Sequence, residues 1–290
     1  MNKFKAFFTF LAFIWLMSCG FLAIHGFLSD SRGVSNAAWF GLLINSWALP
    51  VWMLLRYRFS GNFTGDIRES GAFTAVLLGL AIVLLTDTER GWPIYLAIFN
   101  LFVLLIYLYH LSALSHPTLP AVNSLFPSLG IVGSGEGVPE GVSENEEKEH
   151  WQAVDYCREN QLSGVLLVFL RGSYCADSRN QVHHLRTLLP ELQRRNVGLV
   201  FWSTQPVRKW SQSLLGLNVG QLSGADTQNA PFVARCGAPF LLQPWIRDAA
   251  RPSAWLLDAE GYILWRELSV NYRVPVTAEF LRSQLFRVED

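Results

Sequence analysis

Gly164-Val165-Leu166-Leu167-Val168-Phe169-Leu170 runs without a charge into Arg171-Gly172-Ser173-Tyr174-Cys175 and then into Ala176-Asp177-Ser178. Six consecutive apolar residues closed off by Arg-Gly are too short for a core helix and have the length of a strand covered on both faces. From Ala176 the spacing Val182, Leu185, Leu189, Leu192 predicts an amphipathic helix that ends near Arg194-Arg195-Asn196, where cations suit the helix dipole. Val197 to Trp202 is the next buried strand, so the unit is βαβ with its crossover. Cys175 therefore falls at the strand-to-helix turn.

Working outward, residues 145–161 predict a helix with Trp151, Val154 and Cys157 facing inward. Helical stretches are expected near Val207–Leu215 and Gln228–Cys236, the second stopped by Gly237. Pro252 precedes Ala254-Trp255-Leu256-Leu257, the turn Asp258-Ala259-Glu260-Gly261, and a strand from Tyr262 to Glu267, an antiparallel hairpin. Thr277 caps a last helix running through Phe286. The order is β-α-β-α-β-β-α in a mixed α/β sheet.

Composition separates this half from the one before it. The 290 residues are 51% hydrophobic and 16% charged, with 23 basic against 23 acidic side chains. That balance excludes a nucleic-acid binder, which needs an excess of Lys and Arg gathered on one surface. Seven Lys/Arg and five Asp/Glu in residues 1–113 lie in clusters between the uncharged runs Ala6 to Ser29, Gly33 to Leu55, Ser70 to Thr86 and Trp92 to Leu114. Roughly 20 apolar residues cross a hydrocarbon layer, so residues 1–114 are expected to hold four transmembrane helices, the third at the short limit. Placing the first residue inside assigns Lys3, Lys5, Arg56, Arg58 and Arg68 to the cytoplasm and Arg32 and Arg90 to the far side. Four crossings return the C-terminal half to the cytoplasm of a multi-pass protein, with a bacterial inner membrane as the expected setting and bilayer lipid as a partner. A short third run that failed to insert would put that half outside.

Met1 to Lys5 followed by an apolar run and Leu16-Met17-Ser18-Cys19 also fits a cleaved signal or a lipoprotein cysteine. Hydrophobicity continues from Gly20 to Leu28, which favours an uncleaved first helix. Residues 115–147 carry Pro117, Pro120, Pro127, Pro139, the run Gly133-Ser134-Gly135-Glu136-Gly137 and several glutamates, and are expected to form a flexible tether to a domain over 148–290.

With these elements in place, the C-terminal half resembles the thioredoxin-like superfamily, in particular its redoxin branch, the alkyl hydroperoxide reductase and thiol-specific antioxidant proteins. The resemblance is carried by Val168-Phe169-Leu170-Arg171-Gly172-Ser173-Tyr174-Cys175-Ala176-Asp177-Ser178, similar to that branch's strand followed by Arg-Gly-x-aromatic-Cys-x-x-Cys/Ser, and by Pro252 through Gly261, similar to its Pro-x-x-hydrophobic-Asp-x-x-Gly hairpin. It covers residues 150–288 and none of the membrane half. It implies a thiol-dependent oxidoreductase with Cys175 as nucleophile and no bound cofactor. Arg171 and Ser178 shape the site, and Pro252 is the cis-proline facing the sulfur. A thiol reductant such as thioredoxin or glutathione is the implied co-substrate, with a peroxide or disulfide as substrate.

Cysteine chemistry supports that emphasis independently. Unpaired N–H groups at a helix start favour an anion and so raise the thiolate fraction of a cysteine placed there. Arg171 adds positive charge. Ser178 stands where a second cysteine would close a disulfide, which leaves a monothiol able to form a sulfenic acid or a mixed disulfide. Peroxiredoxins carry Pro and Thr or Ser seven and three residues before the reactive cysteine, where this chain has Val168 and Gly172. Cys236 on a helix end is either a resolving thiol or a packed one, and Cys157 and Cys19 are apolar fillers. A lone Cys19 in the membrane half excludes electron transfer through intramembrane cysteine pairs. His183-His184 cannot share one metal with Cys175, and no phosphate loop, serine elbow or acidic metal cluster occurs. The competing class is a non-catalytic module tethered to the membrane for binding or redox sensing. The catalytic reading requires a sulfur that solvent reaches and that points at the helix amides.

Overall fold

The computed structural model describes residues 2–29, 35–58, 69–87, 91–111, 118–131, 149–210, 216–222, 232–235, 248–269 and 275–288. Two compact units are present, one built on the first four helices and the other on the sheets that follow.

The four uncharged runs become four helices: α1 (Asn2–Leu28), α2 (Asn36–Arg58), α3 (Ser70–Thr86) and α4 (Trp92–Leu105), the last continued by a π-helical turn over Ile106–Leu111. Three of them, over Leu11–Leu28, Asn36–Leu55 and Trp92–Tyr109, are long and apolar enough to cross a membrane. With 17 residues α3 is shorter, so four spans are not established by length. Glycines allow close helix approaches in this unit. A Cβ on Gly79 would stand 2.5 Å from the Asn45 backbone nitrogen and 2.6 Å from the Gly41 carbonyl oxygen, so α3 meets α2 backbone to backbone. Gly20 and Gly71 leave room in the same way for the indoles of Trp47 and Trp52. Buried polar groups in this unit pair across helices: Asn45 Nδ2 donates to Val76 O at 2.9 Å and Trp15 Nε1 to Asn100 Oδ1 at 2.8 Å.

The second unit is organised by a five-stranded mixed sheet. Its strands, with the smaller pairs named in chain order, are β1 (Leu129–Ile131), β2 (Glu149–Trp151), β3 (Gly164–Phe169), β4 (Val197–Ser203), β5 (Asn218–Gln221), β6 (Val233–Arg235), β7 (Asp248–Ala250), β8 (Ser253–Asp258) and β9 (Ile263–Leu268). The sheet order is β5-β4-β3-β8-β9, with β3 parallel to β4 and antiparallel to β8. Helix α5 (Ala153–Asn160) precedes β3, and α6 (Ala176–Leu185) and α7 (Leu189–Arg194) make the crossover from β3 to β4. Leu166, Val168 and Leu170 pack on one face with Val182, Leu185 and Leu192, while Val165, Leu167 and Phe169 pack on the other with Phe126, Phe232 and Trp255. Burial on both faces is why β3 reads as an unbroken apolar run. Thr277 caps α8 (Ala278–Arg282), accepting from Phe280 N at 3.3 Å. A 3-10 turn over Leu285–Val288 completes the expected last helix.

Several expectations are corrected. The helix expected over 145–161 is shorter, because Glu149–Trp151 is held as β2 by antiparallel pairing with β1. The tether expected over 115–147 is ordered in its first part: Phe126 and Leu129 are buried against the sheet, and Leu125 bridges to Tyr262. Those apolar side chains sit between the prolines, where composition hides them. Val207–Trp210 forms a 3-10 turn, and the expected helix over Gln228–Cys236 is replaced at Val233–Arg235 by β6, paired with β7. Cys236 itself lies outside the described residues.

Candidate active site at the end of the central strand

Strand register brings three chain segments to one edge of the sheet. Phe169 at the end of β3 pairs with Trp202 near the end of β4 and with Ser253 at the start of β8. Leu170 N donates to Trp202 O at 2.7 Å and extends the parallel pairing by a residue. The chain then turns: Arg171 N donates to Ser178 Oγ at 3.1 Å, and Cys175 N donates to Gly172 O at 3.0 Å. Gly172 has φ of 154°, and a Cβ there would lie 2.3 Å from the Tyr174 ring. Only glycine suits that combination of angle and crowding. Ser173 donates from both N and Oγ to Gln205 Oε1, at 2.8 and 2.9 Å, tying the turn to the segment after β4.

Cys175 is the N-cap residue of α6, so the predicted placement at the helix start is realised. Its environment differs from the expectation. The side chain makes no cap bond to the helix amides; the thiol donates to Asp177 Oδ2 at 3.8 Å. The residue is 7% exposed, and Asp177 and Ser178 are buried beside it. A carboxylate in the first turn of α6 is itself the group that the helix dipole favours, so Asp177 takes the role read for the sulfur. The expectation of a solvent-open sulfur held as an anion by backbone N–H groups is therefore corrected.

Arg171 is buried, with its guanidinium over the Tyr174 ring at 5.7 Å from the centroid. Pro252 lies at the same sheet edge, where its carbonyl accepts from Ser269 N at 3.0 Å. The peptide before it is trans, since no cis bond occurs among the described residues, and the cis-proline implied by the resemblance is corrected. Arg251 is buried, its backbone N donates to Phe232 O at 2.7 Å, and burial pushes its guanidinium pKa down. Cys175, Ser178 and Arg171 thus meet within one turn, Pro252 lies at the same end of the central strands, and Cys236 lies outside the described residues. Sequence reading missed Asp177 and Gln205. The first carried a signal, an acid two residues past the cysteine at a helix start; the second had none, because only β3–β4 pairing brings it near.

Cys19 and Cys157, the other cysteines among the described residues, are both buried. Cys157 is buried in α5 and its pKa is pushed from 9.0 to about 11, first by burial and then by the Asp258 and Glu260 charges. A raised thiol pKa means the folded state favours the protonated form, so this contribution to stability is whole below about 9 and is lost as pH climbs toward about 11. Iodoacetamide labelling of the Cys157 peptide, read by mass spectrometry, is expected to be negligible at pH 8 and to rise only in that alkaline window. His183 and His184 are exposed on α6, as expected of surface histidines.

No family model matches the chain, and no curated protein does. Solved structures similar to it include the reduced Prx3 of Vibrio vulnificus, at 14% identity and a TM-score of 0.42 over 58% of this chain and 99% of that one. The thiol peroxidase of Chromobacterium violaceum matches at 15% identity and a TM-score of 0.40, over 61% of this chain and 93% of its own. Mycobacterium tuberculosis AhpC matches at 12% identity and a TM-score of 0.39, over 60% and 95%.

Proposed function

We propose that the chain is a membrane-anchored thiol-dependent oxidoreductase that reduces peroxides through Cys175. The observation that carries this reading is a single thiol at the β3–α6 junction inside a turn fixed by side-chain bonds from Ser178 and Gln205. A polar framework of that kind is more than a packed core cysteine requires. In the reaction the sulfur attacks one peroxide oxygen: the S–O bond forms as the O–O bond breaks, two electrons pass from sulfur to peroxide, and the thiol proton ends on the leaving alkoxide. A thiol co-substrate then displaces water from the sulfenic acid, and a second thiol releases Cys175 as a disulfide forms between the two reductant sulfurs. Ser178 leaves no partner at the Cys-x-x-Ser position, so the reductant comes from outside, with Cys236 as the internal alternative. Arg171 supplies a fixed cation and Pro252 bounds the substrate edge.

The helices α1, α2 and α4, with α3 as a shorter fourth, anchor the domain over 148–290 to a bilayer, and the charge distribution of the first half puts that domain in the cytoplasm of a bacterial cell. Burial of Cys175 limits the substrate to small molecules. Cys175 is buried and bonded to Asp177 rather than to the helix amides, so the condition set on the sequence for catalysis is not met, and this supports a second reading, a non-catalytic module of the same fold used for binding or sensing. The two are separated by exposing the full-length protein in membranes to hydrogen peroxide with a carbon nucleophile that traps sulfenic acid. An adduct on the Cys175 peptide is expected; its absence at peroxide levels that oxidise an ordinary thiol would leave the binding module.

A further inference from the structure

We infer that Gln205 is a positioning residue for Cys175, holding the sulfur in place through the peptide that joins Gly172 to Ser173. This rests on the reading of Cys175 as a nucleophile and adds a residue to the machinery of that same site. The peptide is gripped on both sides. Its N–H donates to Gln205 Oε1 at 2.8 Å, and its carbonyl accepts from Cys175 N at 3.0 Å. A planar trans peptide directs those two groups to opposite sides, so fixing the first fixes the second. Ser173 Oγ adds a bond to the same Gln205 oxygen at 2.9 Å.

Two further features are shaped around that oxygen. A Cβ on Gly172 would stand 3.0 Å from Gln205 Oε1, so the bare glycine lets the acceptor come close. Gln205 is itself held: its backbone N donates to Ser203 Oγ at 3.2 Å, Ser203 is fully buried at the end of β4, and Gln205 is 7% exposed. The acceptor is thus anchored to the sheet, while the peptide it holds begins at a glycine, the residue with the least intrinsic restraint on its backbone. Without that acceptor the peptide rotates, its carbonyl leaves Cys175 N, and the sulfur moves with its own backbone. A displacement of about 1 Å at a reacting atom costs on the order of a hundredfold in rate.

The test compares the natural protein with Gln205→Leu and Gln205→Glu, each full length in membranes. The first variant removes the accepting oxygen; the second keeps it on a side chain of the same length, able to take the same two bonds. Hydrogen peroxide with the sulfenic acid trap and, separately, iodoacetamide are followed in time on the Cys175 peptide by mass spectrometry. Gln205→Leu is expected to form the sulfenic adduct at least about tenfold more slowly, because the sulfur is misplaced. It is expected to be alkylated at least about threefold faster, because the released turn opens to water. Gln205→Glu is expected to match the natural chain in both. Opposite signs separate positioning from simple exposure, which would speed both reactions. A Gln205→Leu variant that speeds both, or leaves either unchanged, overturns the inference, and so does a Gln205→Glu variant that follows it. Where protease resistance shows that Gln205→Leu has lost its fold, Gln205→Asn, whose acceptor falls one carbon short, is judged by the same criteria. A natural chain that forms no sulfenic adduct overturns the peroxidase reading, and the alkylation series alone then decides on Gln205: faster labelling of Gln205→Leu with natural labelling of Gln205→Glu upholds its hold on the turn, and any other pattern overturns it.

Discussion

Full-length protein carrying Cys175→Ser is expected to consume no hydroperoxide above a protein-free control, a loss of at least about a thousandfold, while Cys157→Ser keeps the natural rate. The contrast follows from position rather than from residue type. Cys157 is buried in α5, with its thiol pKa pushed to about 11, whereas Cys175 is the N-cap residue of α6, its thiol bonded to Asp177 in a turn that Ser178 helps to hold. A serine hydroxyl in place of the thiol keeps the hydrogen bond to Asp177 and the burial but lacks a sulfur lone pair able to take an oxygen atom. Fold and turn survive; the chemistry does not. The assay follows peroxide loss with a thiol reductant in excess, and equal rates for Cys175→Ser and the natural chain would remove Cys175 from the mechanism.

Trp255→Ala is expected to destabilise the sheet unit by about 3–5 kcal/mol, the usual range for emptying a large aromatic site in a core. Trp255 is fully buried on β8, with Phe232 and Phe126 at ring-centroid distances of 5.3 and 5.4 Å and its indole N–H donating to Ser253 Oγ at 3.1 Å. Its removal leaves a cavity between the sheet and the segment around Phe126, so that segment should loosen first. Tyr262→Ala, at a side chain that is 44% exposed, is expected to cost well under half as much. Protease resistance of the sheet unit against rising urea measures both; similar midpoints for Trp255→Ala and the natural protein would mean that this indole does not hold the two parts together.

The local patterns were legible wherever a residue's environment is set by its own neighbours in the chain. Uncharged runs separated by charged clusters marked four helices, and the unbroken run Val165 to Leu170 marked a strand covered on both faces. The amphipathic spacing from Val182 to Leu192 marked the crossover, and Thr277 marked a cap. Errors fell where pairing partners lie far apart. Glu149–Trp151 and Val233–Arg235 have helix-compatible residues but became strands because Leu129–Ile131 and Asp248–Ala250 offered their backbone groups to them. Phe126 and Leu129 looked like members of a proline-rich tether until a sheet face was available to bury them.

For the site, the chain order alone placed a cysteine at a strand-to-helix turn with Arg171 and Ser178 beside it, because local backbone geometry fixes all three. Gln205 could come under Ser173 only once β3 and β4 were side by side, and Arg251 and Pro252 reached the same edge only through the antiparallel register of β8. The direction of the thiol was likewise decided in three dimensions: burial withdrew it from water, and the nearest acceptor in that enclosure was the Asp177 carboxylate rather than solvent. Sequence determines which groups are adjacent along the backbone, and packing determines which of them lose water together. The energy of a charge or a proton depends on the second.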